Sequence, residues 1–222
     1  MKNIIISMGG SLVNIHNKEY LENFSKMISS LMKDYHFVIV VGGGKIARDY
    51  ISIARENGEN EFFLDKIGIE ITRVNALLLK SFFAGIDGVK FLNSIDEIDN
   101  FNVAITGGTH PGHTTDAVAL LTAEMLNSKK VINATTVDGI YDRDPKKYKD
   151  AKLFENISYT DLLTIFMKNL SSAGPNQVLD FLSIKIAERS NIEIDVINGL
   201  DIENFKKAIR GEKFKGTVVK EK

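Results

Sequence analysis

Three glycine-rich segments, each directly after an apolar run, hold the residues best suited to chemistry in this chain. They are MGGS at Met8 to Ser11, GGGK at Gly42 to Lys45, and GGTHPGHTTD at Gly107 to Asp116. Glycine at the carboxyl end of a parallel strand lets the main chain approach a ligand closely, and the helix that follows presents unpaired N–H groups to an anion. One such turn could serve any tight bend, but three in one sheet could grip a chain of phosphates. In the third segment the Pro111-Gly112 turn is expected to aim main-chain donors, with the Thr114 and Thr115 hydroxyls, at a phosphate, while Asp116 opens the next helix.

Rival chemistries make different demands on these turns. The Walker pattern is missing, since Ile39 stands five residues before Gly44 and Ile46 follows Lys45. Gly42, Gly44 and Ala47 do fit G-x-G-x-x-A, with Asp65 further on, so a dinucleotide site is a competing reading. It would leave the other two glycine turns without a task. His110 and His113 share a loop, but no Cys and no third nearby His completes a catalytic zinc set, and no residue is assigned as a metal ligand.

The elements that must position these turns are legible as an alternation of short apolar runs with stretches of helical period, the pattern of an α/β protein. Strands are expected at Asn3 to Met8, Phe37 to Val41, Val103 to Thr106, Val131 to Ala134 and Ile194 to Ile197, most of them buried on both faces. Apolar stripes at Tyr20, Phe24, Met27, Ile28 and Leu31, at Ile67, Ile71, Val74 and Leu78, and at Val118, Leu121, Met125 and Leu126 predict helices packed on that sheet. The first stripe also suits a contact between subunits, although burial on its own sheet explains it equally.

The chain has 222 residues, enough for one domain of 1–222, with loose lobes of about 1–144 and 145–222 meeting at the polar turn DPKKYKD. A formal net charge of -1 gives no general field for nucleic acid or anionic lipid, so phosphate recognition must be local. The absence of Cys excludes disulfides and thiolate chemistry. The apolar run near the start is too short for a membrane span, and a soluble, cytoplasmic protein is expected.

Over almost its whole length the sequence resembles the archaeal uridylate (UMP) kinases of the amino-acid-kinase superfamily. The resemblance is carried by MGGSL, VVGGGKIARDYI, DKIGIEITRVNALLL, GGTHPGHTTDAVA, TTVDGIYDRDPKK and VLDFLSIKIAERSNI, of which GGTHPGHTTDAVA is the segment specific to that group. It implies a three-layer α/β/α sandwich around a mostly parallel sheet, ATP and UMP as substrates, Mg2+ as cofactor, and a homohexamer. Gly9, Gly10, Gly44, Arg48, Thr135, Tyr141 and Asp144 would lie on the ATP side. Gly43, Asp65 and the loop Thr109, His110, Pro111, Gly112, His113, Thr114 and Thr115 would hold UMP. Asp180 would sit near the transferred group.

UMP is largely dianionic at neutral pH and needs no protein base, so the task is to offset repulsion between two polyanions. Lys45 and Arg48 are the candidate cations, with Asp180 the third catalytic candidate. Ser7 and Thr136 stand where many members of the superfamily carry lysines, which leaves the source of positive charge open. Kinases of isopentenyl phosphate, acetylglutamate or carbamate are the nearest alternatives, followed by a nicotinamide-dependent oxidoreductase and a non-catalytic nucleotide-binding protein.

Overall fold

The computed structural model describes residues 1–145, 147–170 and 178–221, so Lys146 of the DPKK turn lies outside it. Among the described residues eight strands form one sheet in the order β3-β4-β2-β1-β5-β7-β8-β6. They are β1 (Lys2–Met8), β2 (Tyr35–Val41), β3 (Val89–Phe91), β4 (Val103–Thr106), β5 (Lys130–Thr135), β6 (Asn156–Ile157), β7 (Glu193–Asn198) and β8 (Thr217–Val219). From β3 to β7 all neighbours are parallel; β8 runs antiparallel to β7, and β6 pairs parallel with β8. The five expected strands are all present, each within two residues of its predicted ends.

Alternation along β1 shows why helices cover both faces. Ile4, Ile6 and Met8 join a core with α1 (Lys18–Leu31), α3 (Glu61–Ser81) and α7 (Ile202–Arg210). Ile5 points the other way, into a core with α4 (Thr115–Met125), α5 (Tyr159–Leu170) and α6 (Phe181–Ser190). Consecutive strand side chains must face opposite layers, so a run that is apolar at every position demands a cover on each side. The remaining helix, α2 (Gly44–Glu56), buries only Ala47 and leans on α3 instead of the sheet.

The α1 stripe packs as expected: Phe24, Met27, Ile28 and Leu31 are buried, and Phe24 meets Phe205 of α7 edge-on at 5.5 Å between ring centroids. Burial on its own core accounts for it. The other two stripes need correction. On α3 the inward residues are Leu64, Ile69, Thr72, Asn75, Ala76 and Leu79, whereas Val74 is 59% exposed and Ile67, Ile71 and Leu78 are only half-buried. On α4, Ala117 to Leu120 are buried and Met125 is exposed.

The starts of α3, α4, α6 and α7 are fixed by side-chain caps that satisfy otherwise unpaired N–H groups. Asn60 accepts from Phe63 N, Thr114 from Ala117 N, Asp180 from Ser183 N and Asp201 from Asn204 N, at 2.9 to 3.1 Å. Two of these caps, Thr114 and Asp180, also belong to the candidate site.

Candidate active site

The carboxyl ends of β1, β2, β4 and β5 are adjacent; β1, β2 and β4 each lead into one of the glycine turns, and β5 leads into the segment from Thr135 to Tyr141. The chain leaves β1 towards β2 on one side and β5 pairs on the other. This is the place where open parallel sheets form a crevice for ligands.

The first two glycine turns touch through their main chains. Gly9 N donates to Ala134 O at 2.9 Å, and Gly42 N donates to Met8 O at 2.9 Å. A Cβ on Gly44, whose φ is +66°, would lie 2.6 Å from Gly10 O, and one on Gly42 would lie 2.9 Å from Gly10 N. No side chain fits between these turns, and Gly44 adopts a left-handed conformation that other residues resist. Asn75 of α3 holds the second turn from behind, donating to Gly42 O at 2.9 Å and Gly43 O at 3.2 Å.

The loop from Gly107 to Asp116 is held from two helices. Thr72 of α3 accepts from Gly108 N at 2.6 Å, and a Cβ on Gly107 would come within 2.7 Å of Arg73 N. Asp65, also on α3 and inside the helix, accepts from Gly112 N at 2.7 Å. Thr114 donates to the Asp180 carboxylate, which also accepts from the Ser183 hydroxyl. His110, Gly112, His113 and Thr114 are exposed, with Thr109, Pro111 and Thr115 half-buried. The His110 and His113 rings lie 6.5 Å apart, and among the described residues no group of three or more His, Cys, Asp or Glu could hold a metal.

Beneath these turns sits a polar cluster that the sequence reading did not assign. Asp116 accepts hydrogen bonds from the Ser7 hydroxyl and, at 3.0 Å, from Asn133 Nδ2. Burial pushes its carboxyl up to about 6, and the nearby Asp180 charge adds to the rise, while the Ser7 and Asn133 donors oppose it. Ser7 and Asn133 are polar residues inside otherwise apolar central strands. That interruption is the signal that could have found them, because a buried polar side chain requires a partner.

On the β5 side, Thr135 ends the strand and its carbonyl accepts from Gly199 N at 2.8 Å. Tyr141 follows after one turn and bridges to Leu153, with its phenol pushed up by burial and by the Asp138 charge. Asp144 begins the next turn, where its carbonyl accepts from Tyr148 N at 2.9 Å. The two cation candidates lie on the first turns of α2: Arg48 is exposed, and Lys45, 80% exposed, pairs with Asp49 at 2.5 Å.

Residues 2–198 match the Amino acid kinase family. The chain is 40% identical to uridylate kinase of Thermoplasma volcanium over 227 residues, which cover 100% of this chain and 99% of that one. The crystal structure of uridylate kinase from Archaeoglobus fulgidus superposes with a TM-score of 0.83 at 42% identity, covering 99% of this chain and 100% of that one. UMP kinase from Bacillus anthracis shares the fold, with a TM-score of 0.82 at 24% identity over 99% of this chain and 96% of its own. With a parallel sheet, glycine turns gathered at its carboxyl edge and likeness along its full length, the chain belongs to the amino acid kinase family.

Proposed function

We propose that this chain is a UMP kinase that transfers the γ-phosphoryl group of ATP to UMP, giving UDP and ADP for pyrimidine nucleotide synthesis. The observation that carries the reading is the meeting of three glycine turns at neighbouring strand ends, in a chain that resembles uridylate kinases from end to end. A UMP phosphate oxygen attacks the γ-phosphorus, and the bond to the β-bridging oxygen breaks as ADP leaves. The acceptor ionises near pH 6 without help, so the protein's work is positioning and charge compensation.

Gly9, Gly10 and Gly44 present main chain to the ATP phosphates, with Thr135, Tyr141 and Asp144 along the rest of that nucleotide. Gly43, Asp65 and Thr109 to Thr115 take UMP, and the existing bonds of Asp65 and Thr114 keep that loop in place before it binds. Lys45 and Arg48 compensate phosphate charge, and Asp180 orders the loop next to the transferred group. The carboxylates of Asp116 and Asp180, close enough to influence each other, suit a magnesium ion that arrives with ATP, because Mg2+ takes one or two carboxylates together with substrate phosphates. When bound it would supply neutralisation of phosphate charge.

The chain assembles with copies of itself, into a homohexamer on the family resemblance. Tyr50, Ile53, Phe62, Phe63, Val74 and Leu77 support this: they are large apolar residues on α2 and α3 and are 43 to 68% exposed, as residues covered by a second copy would be. The substrates are cytoplasmic nucleotides, and among the described residues no helix is long and apolar enough to cross a membrane. Phosphorus NMR of ATP, Mg2+ and UMP with the protein should show UDP and ADP appearing in equal amounts. A mixture in which ATP and UMP persist would overturn the proposed reaction.

A further inference from the structure

The turn from Thr135 to Tyr141 begins beside Gly9 and is held further along by Asn198 at the end of β7 and by the segment from Lys215 to Thr217 that leads into β8. Lys215 Nζ pairs with Asp138 Oδ2 at 2.6 Å, and Asn198 Nδ2 donates to Asp138 Oδ1 at 3.2 Å. Ile140 N donates to the Thr217 hydroxyl at 2.8 Å, and that hydroxyl in turn donates to Phe154 O at 2.5 Å. Phe154 N then returns a bond to Ile140 O at 2.9 Å. The Lys215 main chain is itself gripped on both sides by Asn204 of α7, whose amide donates to Lys215 O at 2.8 Å and accepts from Lys215 N at 2.7 Å. An exposed lysine ordinarily samples many rotamers; here its backbone is fixed where the side chain reaches Asp138.

We infer that Lys215 and Thr217 are positioning residues for the donor nucleotide, acting through Asp138 and Ile140 on the turn that presents Thr135 and Tyr141. This rests on the reading above that Thr135 and Tyr141 hold ATP. The Lys215 side chain is 66% exposed and the Asp138 side chain 29%, so the pair adds little to global stability. Its effect is local: it sets where the turn stands relative to β5. The acceptor half is held instead by α3 and α6, and among the described residues no side-chain bond joins it to this anchor.

The experiment compares Lys215→Ala, Lys215→Arg, Thr217→Val and Tyr141→Ala by steady-state kinetics with each substrate varied and by thermal denaturation. Lys215→Ala is expected to raise KM for ATP about tenfold, with KM for UMP and kcat within about twofold and the melting temperature unchanged. Lys215→Arg should restore most of the loss, and Thr217→Val should show the same split. A folded Lys215→Ala protein with an unaltered KM for ATP, or with both KM values raised together, overturns the inference. If Tyr141→Ala leaves KM for ATP unchanged, the ATP reading fails and takes the anchor with it. If Tyr141→Ala raises that KM and Lys215→Ala does not, the anchor alone fails.

Discussion

The two halves of the site are held by different materials. Around β1, β2 and β4 the turns are fixed by main chain against main chain, Gly10 against Gly42 and Gly44, with α3 donating and accepting through Asn75, Thr72 and Asp65. Around β5 the turn adds side-chain clamps, Asp138 with Lys215 and Asn198, and Ile140 with Thr217, to the main-chain bonds at Thr135 and Ile140. Main-chain contact leaves no room for a substituent, whereas a side-chain clamp can be weakened stepwise. Substitutions at the packed glycines should therefore be nearly all-or-none, and those at the side-chain clamps graded.

The largest effect should come from Gly10→Ala. Its Cβ would fall inside contact distance of Gly42 and Gly44, so the two turns must separate, and turnover should drop about a hundredfold or more. An active Gly10→Ala enzyme would break the contrast at its root. Next is Asp65→Ala, which leaves Gly112 N without its acceptor; KM for UMP should rise about tenfold while KM for ATP holds. A rise in the ATP value instead would exchange the two halves.

The third prediction concerns pH. The Asp116 carboxyl is raised to about 6, above its unfolded value, so the stability associated with its neutral form is present at low pH and is lost as pH rises through 6. Melting curves from pH 4 to 7 should show the advantage of wild type over Asp116→Asn shrinking towards pH 6 and then levelling. Asp195, also pushed up to about 6 by burial against the pull of Lys130, is common to both proteins and cancels in the difference. A pH-independent difference would place the Asp116 titration elsewhere. The smallest effect on stability is expected for Lys45→Ala. This exposed pair with Asp49 should be worth about 0.5 kcal/mol or less, while kcat should fall severalfold if Lys45 turns to the phosphates. An unchanged kcat would leave Arg48 as the catalytic cation.

Much of this was written in the sequence where a single physical demand acts. The strands are apolar at nearly every position because both faces are covered, and the glycine turns announce themselves because no other residue allows such close approach. The α3 helix misled for the opposite reason. Its inward face near the site must be small and polar to admit Gly107 and to bond the Gly42 turn, so Thr72, Asn75 and Ala76 point inward. The Ile67, Ile71, Val74 and Leu78 stripe lies to one side of that face, and periodicity alone favours the more hydrophobic side. Asp116 shows in the sequence only as an acid opening a helix, because its partners Ser7 and Asn133 lie 109 and 17 residues away in the chain. Lys215 was hidden likewise, 77 residues from the Asp138 it restrains.

The most direct test is a coupled ADP-release assay with ATP and Mg2+, offering UMP, CMP, dTMP, AMP, isopentenyl phosphate and acetylglutamate in parallel. Turnover strongly selective for UMP is the predicted result. Turnover on another acceptor with none on UMP would contradict the assignment of the Thr109 to Thr115 loop to UMP while leaving the fold in place.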